Sequence, residues 1–265
     1  MRTDDAHPLP LRERLLNQLR DPDRNVRANA AVELGKLADP ALAHALVDAL
    51  ATEPDFFDRE FLTWSIVRVA QAATPLLIAL LTDPRPPARH GAAHTLGKIA
   101  DPRATPALIA ALDDDDLTVV SKAAFALGAI GAVESVPALG NLLGTQNREL
   151  ESTLVAVFER FGASAVPTLL GALRHADARV REHAANVLGA IADPASGPAL
   201  ADALADAESR VRFAAVHALT NLGGDAAIAA IRPMRDDADA SVRALASRTL
   251  DRTNGPAQTR RRRRT

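Results

Sequence analysis

The sequence predicts an all-α fold, an α-solenoid (superhelix) of about eight two-helix repeats. Three observations lead there: a short motif returns at a fixed interval, apolar residues inside each interval follow a helical period, and a 48% hydrophobic composition contains very few rings.

The interval comes first, because a fixed period of 20 to 50 residues is the signature of stacked repeats. GKLADP at Gly35–Pro40 returns as GKIADP at Gly97–Pro102 and as GAIADP at Gly189–Pro194, with GAIGAV at Gly128–Val133 as a relative. Polar turns near Asp21, Glu53, Asp83, Asp113, Gly144, His175, Asp206 and Asp236 carry a step of about 31 residues through the chain. Eight units fit.

Each unit reads as two helices. The first carries Pro-Ala-Leu patterns such as Pro106, Leu108, Ile109 and Leu112, or Pro198, Leu200 and Leu204. An early Pro suits a first helical turn, whose N–H has no intrahelical partner, and the apolar spacing follows 3.6 residues. The second helix is Ala-rich, as in Val26–Leu37 and Val180–Ile191, and small side chains let helices approach closely. Ala-Asp-Pro then stops it, since Pro cannot continue the helix and the residue before Pro is driven out of helical geometry. One such pair cannot bury its own apolar face; stacked neighbours supply the core. The solenoid is expected over residues 1–252 and a disordered Arg-rich tail over 253–265.

Composition narrows the function. Seven Phe, one Trp and no Tyr leave Ala, Leu, Val and Ile to build the core, which favours helices. The absence of Cys removes disulfides, thiol nucleophiles and thiolate metal sites. Met1–Pro10 holds Asp4, Asp5 and two prolines where a signal peptide needs an apolar run, and no later stretch is read as a membrane span, so a cytoplasmic protein without membrane contact is expected. The formal charge is -2, yet the last seven residues hold five arginines and no acid. The rest of the chain is therefore mildly acidic and unlike a general nucleic-acid binder.

The first unit carries Asp21, Val26, Arg27, Ala30, Ala31, Leu34 and Gly35. This Asp-Pro turn, Val-Arg pair and Ala-Ala-x-x-Leu-Gly run resemble the HEAT-like repeats of the phycobilisome-lyase type, and the resemblance extends over about residues 9 to 252. Proteins with such repeats include chromophore lyases, hydroxylases and plain scaffolds, so the fold does not carry an activity with it. The resemblance implies a ladder between neighbouring units, built from Arg27, Arg59, Arg89, Arg181, Arg212 and Arg243 with acids six residues earlier at Asp21, Glu53, Asp83, Asp206 and Asp237. The ladder lapses in the middle, where Val120 and Glu151 stand for arginine and Thr145 and His175 for the acid.

The same resemblance puts the second helices on the concave side. In unit two it exposes Phe56, Phe57, Glu60, Phe61, Trp64 and Arg68, with a slip of one residue left open because Asp58 replaces Val. With Phe125 and Phe213, six of the eight aromatics fall on that side. Exposed rings flanked by cations are the material of protein-binding hot spots. The candidate partner-binding set is Phe56, Phe57, Glu60, Phe61, Trp64, Arg68, His94, Lys98, Lys122 and Phe125, and the expected function is a protein-interaction scaffold. The competing reading is that Phe57 and Phe61 replace Ala in an end-unit core. Phe158 and Phe161 fall at inward positions.

Catalytic readings are weaker. His90 and His94 share a helix face, with Glu60 set beside His90 on the neighbouring helix, a donor set that suits a divalent transition metal. Glu182, His183 and His217 form a looser group. Most such clusters are solvated, so no metal, cofactor or catalytic residue is assigned. The deoxyhypusine hydroxylases, which resemble this fold, ligate iron through His-Glu dipeptides. Here His7, His44, His90, His94, His175, His183 and His217 are none of them followed by Glu. The run Asp113–Asp116 lacks the spacing and Gly of a calcium loop and reads as an inter-helix turn. Thr253, Asn254, Gly255 and Pro256 should break the last helix. Arg260, Arg261, Arg262, Arg263 and Arg264 then offer a salt-sensitive contact for a polyanion, although a chain with only Lys36, Lys98 and Lys122 already prefers Arg throughout.

Overall fold

The computed structural model describes residues 10–261, and no strand occurs among them. Their helices fall into the eight pairs that the period requires. In the compact unit Met1–Ile130 the pairs are α1 (Leu11–Gln18) with α2 (Arg24–Leu37), α3 (Ala43–Thr52) with α4 (Phe56–Val67), α5 (Ala70–Leu80) with α6 (Pro86–Ile99), and α7 (Thr105–Ala110) with α8 (Leu117–Ile130). In the unit Gly131–Thr265 they are α9 (Val136–Gly140) with α10 (Arg148–Phe161), α11 (Val166–Ala172) with α12 (Ala178–Ile191), α13 (Gly197–Asp202) with α14 (Ser209–Leu222), and α15 (Gly224–Ile231) with α16 (Ala240–Arg261). The boundary falls at the end of the helix in which Val120 stands for a ladder arginine.

Within each unit second helices pack on second helices: α2 on α4, α4 on α6 and α6 on α8 in the first, α10 on α12, α12 on α14 and α14 on α16 in the second. Ala92, Ala93, Ala123, Ala124 and Ala126 are fully buried, as are Leu34, Leu46, Leu50, Ile66, Leu77, Leu96, Leu108 and Leu127. Each such Leu or Ile contributes about 1.5–3 kcal/mol by leaving water. The second unit centres on Phe158, Leu139, Leu150, Leu154, Leu169, Leu188 and Leu219. Phe158 and Phe161 are core, as their inward positions predict.

The Ala-Asp-Pro stop works in three steps. Ala38, Ala100 and Ala192 adopt left-handed backbone, with φ of 48°, 55° and 53°. The following Asp is extended, and its carboxylate accepts the N–H two residues on, from Ala41, Arg103 and Ala195. The Pro then opens a short 3-10 turn that leads into the next helix. A Cβ in left-handed geometry is strained by about 1–2 kcal/mol, and part of that is offset because Gly loses more chain entropy on folding. Ala100→Gly is therefore expected to raise stability by about 0.5–1 kcal/mol, read as a higher urea midpoint at unchanged slope; a lower midpoint would show that the Ala methyl contributes packing there.

Two sequence expectations change. Against the expectation that no stretch resembles a membrane span, Arg148–Ala172 is a 25-residue stretch with the length and apolar character of one. It is not one continuous helix: α10 ends at Gly162, where φ is 53° and ψ -130°, and α11 starts at Val166. Its Leu150, Leu154, Val157, Phe158 and Phe161 are buried in the protein's own core. At the other end, α16 runs on through Gly255 and Pro256 to Arg261 rather than stopping at Thr253. A Pro removes one backbone hydrogen bond and kinks a helix without obliging it to end. Arg262, Arg263 and Arg264 lie outside the described residues.

Candidate partner-binding face

The ladder defines what is scaffold. Arg27 grips Glu53 with two bonds of 2.8 and 2.9 Å, and Arg89 grips Asp114 at 2.6 and 2.7 Å. In the second unit Arg181 holds Asp206 at 2.7 and 2.9 Å, and Arg212 holds Asp237 at 2.8 Å twice. Each rung thus joins a second helix to the turn of the next repeat. The residue six positions before the arginine contributes something else, its backbone carbonyl: Nη1 of Arg27, Arg89, Arg181, Arg212 and Arg243 donates to the oxygens of Asp21, Asp83, His175, Asp206 and Asp237. His175 can therefore replace an acid without loss of that bond. Where Glu151 stands for arginine, His183 of α12 does another job, accepting the Gly144 N–H at Nδ1 over 3.1 Å. Burial holds His183 below its ordinary pKa, consistent with a neutral ring, and its Nε2 has no hydrogen-bond partner among the described residues. It does not form a metal cluster with Glu182 and His217.

Asp58 occupies the buried Val slot of α4 and is paired with Arg24 of α2, which also bonds Asp55. The register therefore does not slip, and the exposed positions of α4 are those the sequence names. Phe57 is 70% exposed, Phe61 and Trp64 are each 44% exposed, and Phe125 on α8 is 44% exposed. Arg68 and Lys98 are exposed, while Glu60, His94 and Lys122 are half-buried on the same side. Phe56 opens α4; its side chain lies outside the described part. Phe213, in the second unit, is 38% exposed. The core alternative for Phe57 and Phe61 is thus not what the helices produce.

Glycine sets how the rings lie. A Cβ on Gly35 of α2 would meet Trp64 Cζ3 at 2.8 Å and Ser65 Oγ at 2.5 Å, so the indole edge lies directly on backbone. A Cβ on Gly97 of α6 would meet Ala126 at 3.2 Å and Phe125 Cδ1 at 3.5 Å. Each ring is seated at one edge in the groove to the preceding helix and open to solvent at the other. The Arg68 guanidinium covers Trp64 at 5.4 Å from its ring centroid, a cation–π contact. Below the rings, buried polar bonds fix the helix spacing: Thr63 to Thr95 at 3.0 Å and Ser65 Oγ to the Ala31 carbonyl at 2.7 Å.

The histidine pair differs from its expected partners. His90 and His94 stack with centroids 6.5 Å apart and planes 5° from parallel. Glu60 approaches His94, not His90, with 2.8 Å between Oε1 and Nε2. Helical side chains lean toward the N-terminus, so His94 covers the turn that carries His90 and takes the carboxylate first. Burial, with Lys122, His94 and Arg59 adding to it, pushes His90 down to about 4; burial lowers His94 too, against the pull of Glu60. Burial thus biases both rings toward the neutral form; Arg68, Lys98 and Lys122 bring positive charge to the same face. No three His, Cys, Asp or Glu among the described residues are grouped to hold a metal ion.

A profile of HEAT repeats matches residues 6–67, 73–159, 136–219 and 166–251, and the chain belongs to the HEAT-repeat family. The α-solenoid class is shared by a solved structure of Kap95p bound to RanGDP, with a TM-score of 0.62 at 14% identity, over 91% of this chain and 40% of that one. Human deoxyhypusine hydroxylase is similar over 91% of this chain and 94% of its own, at 22% identity and a TM-score of 0.41. The CpcE and CpcF complex of phycocyanin lyase from Nostoc sp. is similar over 87% and 96%, at 25% identity and a TM-score of 0.45. Comparison with curated protein sequences gives no match.

Proposed function

We propose that the protein is a binding scaffold that anchors a partner protein on the second-helix face of its first unit. One observation carries the reading: of an aromatic complement of seven Phe and one Trp, the rings of Phe57, Phe61, Trp64 and Phe125 stand in solvent on α4 and α8. A chain that spends scarce rings on an exposed face forgoes the 150–250 Å² that each buries in a core. Rigid rings beside Arg68 and Lys98 supply large contact area at small entropic loss, the makeup of interface hot spots. The complexes of the CpcE with CpcF and Kap95p with RanGDP structures are consistent with such use of the fold.

The test is affinity capture from native extract, followed by titration of the identified partner against wild type and Phe61→Ala/Trp64→Ala. Both truncations remove exposed area, so helicity and thermal midpoint should stay close to wild type. The expected result is a loss of at least about tenfold in affinity, since hot-spot truncations each cost more than 1 kcal/mol. Equal affinity for both proteins would remove the site from this face. Capture lost only on deleting Arg260–Arg264 would move it to the tail.

A further inference from the structure

Four ladder arginines share one geometry: Nε and Nη2 grip a carboxylate while Nη1 holds the turn carbonyl six residues back. Arg59 does not follow it. Its Nε, rather than Nη1, donates to the Glu53 carbonyl at 2.7 Å. No carboxylate of the described residues reaches its two terminal nitrogens. The acid at the corresponding place in the next turn is Asp83, and Arg85 has taken it, with Nε and Nη2 each 2.8 Å from its oxygens.

The cause is one substitution in the repeat. The residue at the N-cap position of the second helix is Asp23, Asp55, Asp116, Asn147, Asp177, Glu208 and Asp239 in seven units and Arg85 in the third. Arg85 gives α6 no side-chain cap and brings a second guanidinium to a turn that has one free acid. Arg85 holds the Asp83 carboxyl down at about 2. The other charges at this edge are already matched: Glu53 lies between Arg27 and the Asp55 N–H, and Arg89 is on Asp114. Arg59 is therefore a cation in excess. It lines a cleft of about 440 Å³ whose other walls include Pro54, Pro84, Pro86, Pro87 and Arg85.

We infer that the Arg59–Arg85 cleft is a binding site for a carboxylate supplied from outside the chain, which completes the missing rung. The ligand class follows from the four filled forks, all of which hold a planar carboxylate by two charge-assisted bonds, the geometry for which a guanidinium is built. The proline walls offer apolar surface and no competing N–H donors. The carboxylate is an acidic side chain or the C-terminus of a polypeptide. This site is separate from the aromatic face and stands whether or not a partner binds there.

The test follows the Arg59 side-chain Nε–H resonance during titration with N-acetylglutamate α-amide, N-acetylglycine, the neutral N-acetylglutamine α-amide, and inorganic phosphate. The first two present a side-chain and a terminal carboxylate, and a saturable shift with either supports the site and identifies the source. Affinity for that ligand should fall at least about tenfold in Arg59→Gln, read from a backbone amide of the same turn. Arg85→Asp is the second variant: it restores the helix cap and releases Asp83 to Arg59, so it should abolish carboxylate binding while raising the thermal midpoint. The inference is overturned if no carboxylate shifts Arg59, if the neutral amide or phosphate alone does so, or if both variants bind the carboxylate as wild type does.

Discussion

Arg89→Met is expected to destabilise the protein by about 3 kcal/mol. The guanidinium is 15% and its Asp114 partner 7% exposed, so the pair is mostly shielded from water, unlike a surface ion pair worth only about 0–1 kcal/mol. The substitution keeps the aliphatic stem but leaves the Asp114 carboxylate with only the Asp116 N–H and strips the Asp83 carbonyl of its donor. Denaturant unfolding measures the loss. Arg89→Met/Asp114→Leu should recover a large part of it, because a buried charge without a partner is worse than no charge at all. If the double variant is as unstable as the single one, the rung acts through packing rather than charge.

Acid adds a second readout of the same rung. The Arg89 guanidinium holds Asp114 below its ordinary 3.8. A carboxyl depressed in the folded state stabilises fully above its unfolded pKa, and that stability is lost as pH falls through the folded value. The gap between wild type and Arg89→Met should therefore be widest above about pH 4 and narrow below it. Arg181 and Arg212 do the same for Asp206 and Asp237, so wild type itself should soften over that window.

Gly189→Ala is expected to cost about 2 kcal/mol net. Ala in place of Gly inside a helix is ordinarily worth up to about 1 kcal/mol in its favour. Here the new methyl would sit 2.7 Å from Cα and 2.8 Å from Cβ of Ala218 on α14. The nearest obstacle is backbone, which yields only if α14 moves off α12, and overpacking of that kind costs about 1–3 kcal/mol or more. Gly171 is the internal control: it is exposed on α11 with nothing within 4 Å of a new Cβ, so Gly171→Ala should gain about 0.5–1 kcal/mol. Thermal midpoints that moved the same way for both would mean that close approach is not what keeps Gly189.

The fold was legible because its rule is repeated. Ala-Asp-Pro, Val-Arg and the Ala-rich run recur often enough that the helix pairs could be counted before any geometry was known. The exposed positions of α4 were legible for the same reason, since Asp58 could be aligned with the Val of other units. What depended on side-chain direction was not legible. The run Asp113–Asp116 contains four acids, and only the folded turn shows that Asp114 serves Arg89 while Asp116 caps α8 through the Thr118 N–H. Glu60 belongs to His94 because His94 leans back over the preceding turn, which spacing alone does not encode. The fork of Arg59 has a trace in the sequence, because Arg85 stands at a position where every other repeat has Asp, Asn or Glu, but its consequence depends on which carboxylate Arg85 reaches in the folded turn.

The bonds of a rung reach only their own turn and the next, and this makes the first unit's repeats exchangeable parts. Ala38 and Ala100 are equivalent stations, with the same left-handed backbone followed by the same Asp-Pro. Joining the chain at those two points would bring Arg27 to Asp114, an acid already shaped to receive an arginine from the helix before it. Such a splice would discard the aromatic helix α4 and the Arg59–Arg85 cleft together, yet leave every surviving rung with two ends. In this molecule length is thus a quantity that can change in whole steps without redesign of the joint, and such a change would take away the exposed rings of α4 and the Arg59 fork without an acid while keeping the ladder around them.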